Sequence, residues 1–255
     1  MRPLVSPLRW TALALAGAAA LALGACQKTD DAAFGAKVRA YLLAHPEVLR
    51  EAAQKLDEQD QAKATAQARE ALAKAAVRLP QFRQQLEHDP ADFVANPNGK
   101  ITVTEFYDYR CPHCVNAAPR VMAMIKANPD VRFVFKEQPI FGDLSERAAR
   151  AALAVKKDGG DYVGAYAAMM AAHGALDADV IDKIAVAHGA KAATLQSAAF
   201  QQEANAHLAA TDQLFRQLGM GGTPSFVIGD EVVPGEDVDA VLQAVNQQRT
   251  RLAGT

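Results

Sequence analysis

The sequence predicts an α/β domain that is split by a helical insertion and preceded by a helical arm. Three observations carry this. A β-branched and aromatic run, ITVTEFYDY over residues 101 to 109, is followed by helix-forming sequence over 112 to 128 and by a second such run, VRFVFKEQP, over 131 to 139. Residues of about 144 to 218 are rich in alanine, are punctuated by Gly159-Gly160, Gly174 and Gly189, and carry no strand pattern. Strand character returns in TPSFVIGDEVVPG, residues 223 to 235, as two short runs around the turn-forming pair Gly229-Asp230. A final helix over about 237 to 248 closes an order of βαβ, helical insertion, ββα.

Three segments follow, at 1–25, 26–98 and 99–250. The first has Arg2 and Arg9 ahead of an acid-free apolar run from Thr11 to Leu23, then Gly24 and Ala25, which is the pattern of a secretory signal. That run is shorter than the ~18 to 20 residues a membrane-spanning helix needs. LGAC, Leu23 to Cys26, resembles a bacterial lipoprotein box, so Cys26 is the expected site of lipidation, with ordinary cleavage as the alternative. The second segment is rich in Ala, Gln, Glu and Lys from Asp31 to Leu79 and reads as helix, broken at His45-Pro46 into about 33–44 and 46–77. Phe34, Val38, Tyr41, Leu42 and Leu49 mark an apolar stripe, while Gln59 to Gln67 offers mostly alanine and polar side chains. A helix this polar needs a partner or stands as a solvated spacer. The turn formers of HDPADFVANPNGK, residues 88 to 100, mark the boundary with the third segment.

The 255 residues are 50% hydrophobic and 22% charged, ordinary for a globular chain. Lys+Arg 27 against Asp+Glu 29 are spread evenly, so no nucleic-acid footprint is expected. With Cys26 taken by lipid, Cys111 and Cys114 are the remaining thiols, in a compartment that permits disulfides.

Those two stand in CPHC at the junction of the first strand and its helix. A helix N-terminus favours an anion, Pro112 suits the first helical position, and His113 can add positive charge, so the Cys111 thiolate should be stabilised. Cys114, nearly one turn on and more covered, would close the disulfide and resolve the mixed one. Structural zinc would need a second ligand pair that the chain lacks. A structural staple over so short a loop would restrain little chain entropy. Copper(I) suits two thiolates, so a periplasmic copper-binding or copper-resistance module stays as the alternative. His45, His88, His173, His188 and His207 show no ligand spacing and suit surface or capping roles. Met169-Met170 suit packing, and GMGG at 219 to 222 lacks the frame of a phosphate loop.

EFYDYRCPHC, with FVFKEQPI and GTPSFVIG, resembles the DsbA-type thioredoxin-fold disulfide oxidoreductases. VRAYLLAHPEVLREAAQKL and NPNGKITVTEFYDY are similar to their ScsC-like branch of exported proteins. The resemblance implies a thioredoxin fold and an enzyme that forms, isomerises or reduces disulfides, the direction being open. It implies no cofactor beyond the Cys111–Cys114 redox pair and no metal. Pro224 would be a cis-proline against that pair, consistent with the confinement of cis peptides to X-Pro bonds, and the Thr223 backbone would bond a substrate strand. Glu105 and Lys136 would lie beneath the cysteines and move protons to and from Cys114, an internal ion pair being the plainer alternative. Asp108 and Tyr109 would shape the rim. The implied partners are unfolded or misoxidised cysteine proteins of the envelope, a membrane redox partner of the DsbB or DsbD type, and further copies of the chain through its N-terminal helices. The expected place is the periplasm of a Gram-negative bacterium, anchored to the outer membrane.

Overall fold

A computed structural model describes residues 30–254, so the leader and Cys26 lie outside the described residues. The described chain divides between Ala66 and Gln67 into two compact units. The first holds α1 (Asp30–Ala44) and the beginning of α2 (Pro46–Arg78), with the break where the sequence places it, since Pro46 cannot extend α1 but fits the first turn of α2. Phe34, Tyr41, Leu43, Leu49 and Leu56 are each more than half exposed in this unit.

The second unit begins at Gln67, ahead of the segment expected from residue 99. The reason lies in packing: Ala75 and Leu79 are buried with Leu86, Phe106, Phe215 and Val232 in a small core of their own. The end of α2, a 3-10 turn (Leu79–Phe82) and α3 (Arg83–Glu87) are thus built into the second unit.

The sheet has five strands: β1 (Phe93–Ala95), β2 (Ile101–Tyr107), β3 (Val131–Glu137), β4 (Ser225–Ile228) and β5 (Glu231–Pro234), in the spatial order β1-β3-β2-β4-β5. β2 and β3 run parallel, joined by α4 (Pro112–Ala127), and the other neighbours are antiparallel. β1 was not anticipated, because its three residues sit among turn formers that mask them. The insertion comprises α5 (Asp143–Lys157), α6 (Tyr162–Ala171), α7 (Ala178–Ala187), α8 (Ala192–Gln196) and α9 (Ala198–Gln217), and α10 (Val238–Ala253) closes the chain. This is the thioredoxin-like α/β architecture with an inserted helical subdomain and an N-terminal helical region.

Register sorts the strand side chains into two faces, because successive residues point to opposite sides. Glu105 lies opposite Phe135 on β3 and Phe226 on β4, and Phe106 lies opposite Lys136. Val103, Tyr107, Phe133, Phe135 and Phe226 belong to the large core shared with α4 and the insertion, whereas Phe106 and Val227 belong to the small core under α2.

Candidate active site

The chain leaves β2 at Tyr107, turns through Asp108 to Arg110, and starts α4 at Pro112 with Cys111 as an extended N-cap, φ −72° and ψ 120°. Pro112 occupies the first turn, where its missing N–H costs nothing. Asp108 sets the turn. Its carboxylate accepts from the Arg110 N–H at 2.7 Å and from the Ile140 and Phe141 N–H groups at 2.6 and 3.1 Å, tying the exits of β2 and β3 together.

Both cysteines are free thiols and both are buried, while His113 between them is exposed, its Nδ1 3.4 Å from a Glu236 carboxylate oxygen. The Cys111 thiol donates to the Thr223 carbonyl at 3.1 Å, and the Thr223–Pro224 peptide is cis. The Asp108 N–H points at Cys114 Sγ from 3.5 Å. The two sulfurs have opposite proton affinities. Cys111 is lowered to about 5, chiefly because the Cys114 thiol bonds to it; burial opposes the shift, and Thr223 and the N–H groups of Cys114 and His113 at the helix start add to it. Burial pushes Cys114 far up, and the Cys111 and Glu105 charges push the same way. Of the two sulfurs, Cys111 is the one that gives up its proton, and with it the bond to Thr223, while Cys114 holds its own.

Glu105 is fully buried on the large-core face. Burial raises it to about 8, only partly offset by the Tyr166 hydroxyl, which donates to Oε1 at 3.4 Å. It does not pair with Lys136. The period-two alternation of the strands puts Lys136 on the other side of the sheet, where its Nζ lies 2.6 Å from Asp92 Oδ2, so the expected place of Lys136 beneath the cysteines is corrected. Asp92 also faces His207 Nε2 at 3.3 Å, and His207, expected at the surface, is largely buried. Asp89, Asp92 and His207 converge closely enough to hold a metal ion, but the Lys136 ammonium already neutralises Asp92. Among the described residues the cysteines belong to no such three-donor cluster.

Tyr107, Tyr162 and Glu137, which the sequence reading passed over, complete the surroundings, and Tyr109, expected at the rim, is buried among them. The Tyr107 hydroxyl meets those of Tyr109 and Tyr162 at 2.9 and 2.7 Å, and Tyr162 donates to Glu137 at 2.5 Å, all within the buried core. Stepping two residues along from Glu105 on β2, and from its partner Phe135 on β3, reaches Tyr107 and Glu137. That spacing was the available signal.

A helix-start thiol pair of split proton affinity, facing a Thr-Pro loop on a thioredoxin-like sheet, is the construction of a thiol–disulfide oxidoreductase. The chain belongs to the DSBA-like thioredoxin domain family, which it matches over residues 102–246. Residues 30–63 match the copper resistance protein ScsC N-terminal domain. A thioredoxin-like oxidoreductase from Silicibacter pomeroyi is 38% identical, with a TM-score of 0.60 over 66% of this chain and 98% of that one. ScsC from Proteus mirabilis in a transitional conformation is 25% identical, with a TM-score of 0.60 over 89% and 99%. A periplasmic thioredoxin-like protein from Salmonella enterica serovar Typhimurium is 28% identical, with a TM-score of 0.59 over 66% and 95%. No curated protein matches the chain. The family and these neighbours make the chain a thiol–disulfide oxidoreductase and do not favour the copper-binding alternative.

Proposed function

We propose that this enzyme works in the periplasm on cysteine-bearing envelope proteins, with Cys111 as the exchanging sulfur and Cys114 as its resolving partner. The observation that carries the reading is the split between them, a thiolate at Cys111 beside a protonated Cys114. Starting from the Cys111–Cys114 disulfide, a substrate thiolate attacks Cys111 Sγ and the bond to Cys114 breaks. The Cys114 sulfur leaves with the electron pair and takes a proton. Glu105, a buried acid raised to about 8, is the group suited to hold that proton. The second substrate thiolate then attacks the substrate's own sulfur and expels Cys111 as its stabilised thiolate. Two electrons pass from the substrate dithiol to the enzyme pair. A stable leaving thiolate supports the oxidising direction, with a membrane partner of the DsbB type restoring the disulfide. In the mixed disulfide Cys111 has no S–H, so the Thr223 carbonyl is free to accept a substrate backbone N–H beside Pro224.

Cys111→Ser should abolish exchange with a model dithiol and remove a thiolate ultraviolet absorbance that titrates at about 5 in the wild type. Persistent exchange would refute the assignment. For the arm, the reading is self-association: the exposed Phe34, Tyr41, Leu43, Leu49 and Leu56 and the match to the ScsC N-terminal domain support it. Phe34→Glu combined with Tyr41→Glu should reduce the native mass to that of a monomer, and an unchanged assembly would count against it. Anchoring through Cys26 predicts that Cys26→Ser moves the protein from the membrane to the soluble fraction.

A further inference from the structure

A groove of about 330 Å³ opens beside the Thr-Pro loop, and its walls come from two distant parts of the sequence. The end of α2 supplies Ala68, Leu72 and Ala75, and the 219–235 region supplies Met220 and Val232. Its lining is mostly apolar; the side-chain polar groups in it are the hydroxyls of Thr223 and Ser225, and the Ser225 hydroxyl donates to the Gly222 carbonyl at 2.7 Å. Gly221 and Gly222 form part of the rim, and the fold does not require glycine at either. Neither has a positive φ, and a Cβ added at either position would meet nothing within 4 Å, whereas the neighbouring Gly219 and Gly235 have φ of 71° and 80°. The two glycines therefore leave the groove open and the backbone bare.

Thr223 belongs to both places: it lines the groove, and its carbonyl accepts from Cys111 Sγ at 3.1 Å. A chain joined to Cys111 by a disulfide therefore passes beside the loop that forms one wall of the groove. We propose that the groove is a subsite for an apolar side chain adjacent in sequence to the substrate's cysteine, and that Leu72 of α2 selects for it. This rests on the reading of Cys111 as the sulfur that joins the substrate. Leu72 lies before residue 102, where the thioredoxin-domain match begins, so part of the substrate preference is written in the helix that leads into the domain. Seating one apolar side chain against Leu72, Met220 and Val232 in place of a polar one gives a preference of about tenfold.

The test uses the full chain and two dithiol peptides that differ only in leucine or serine beside a cysteine. The wild type should oxidise the leucine peptide with a kcat/KM about tenfold higher. Leu72→Asn, which makes the wall polar, and Gly222→Leu, which fills the space, should bring that ratio to about one, and Leu72→Met should keep it. The comparison is a ratio within each variant, so a general loss of folded protein cancels. Equal rates for the two peptides in the wild type, or an unchanged ratio in Leu72→Asn, would overturn the subsite. Oxidation of dithiothreitol, which has no side chain to seat, separates the two readings. If the wild type fails to oxidise it, the role of Cys111 falls and the subsite falls with it. If oxidation proceeds but the peptide preference is missing, the subsite alone falls.

Discussion

Two carboxyl groups lie buried on opposite sides of the same sheet, and they meet burial differently. Glu105, on the face that carries the cysteines, has no cation beside it; only the Tyr166 hydroxyl approaches one oxygen, and the group is raised to about 8. Asp92, on the other face, has the Lys136 ammonium at 2.6 Å and His207 at 3.3 Å. Removing a carboxylate from water costs several kcal/mol unless it gains a proton or a counter-ion. Glu105 takes the proton and Asp92 takes the cation. Burial therefore does not decide the charge of a group; the residues within about 4 Å of it do.

The pair of sites can be broken from the Asp92 side first, where the expected effect is larger. Lys136→Met removes the cation and leaves the aspartate buried beside His207 and a second carboxylate, Asp89. Stability measured by urea unfolding should fall by about 3–5 kcal/mol, and a loss below about 1 kcal/mol would mean that the ion pair does not hold this face together. Disulfide exchange per folded molecule should change little, since Lys136 faces away from Cys114.

Glu105→Gln tests the other side, with a smaller and pH-dependent effect. The folded acid holds its proton up to about 8, and the unfolded one loses it near 4.5. Between those values the folded state binds more protons, so the wild type loses stability as pH rises through this window. Glutamine cannot titrate. The stability of the variant should gain on that of the wild type from pH 5 to 8, by roughly 3.5 kcal/mol over that range, when both are followed by urea unfolding of the reduced form. Curves that stay parallel would assign the titration elsewhere. The rate of exchange should also lose whatever inflection the wild type shows near pH 8.

What could be read from the sequence follows the range of the interactions involved. The cysteine pair, its proline and the helix it starts are separated by a few residues, so local pattern was enough. The βαβ unit, the insertion and the terminal hairpin were equally legible, because strand and helix periodicities differ and Gly229-Asp230 marks the turn. Lys136 was misplaced because its face depends on register: it stands opposite Phe106, one residue away from the position that would have brought it to Glu105's side. Its partner Asp92 comes from a segment dense in turn formers, and His207 arrives from α9, more than a hundred residues away. Long-range pairings of this kind leave no spacing to read. That the end of α2 packs with the second unit escaped for a similar reason: alanine-rich sequence looks alike along α2, and only Leu72, Ala75 and Leu79 hint that the end of that helix is covered.

Asp108 has one further consequence. Its carboxylate, together with the Arg110 guanidinium on the Phe141 carbonyl, fastens the turn before Cys111 to the loop after β3 without a bond between the sulfurs. The frame around the thiols is already complete while both are free, so electrons can enter and leave the pair over a scaffold that need not be rebuilt on each turnover.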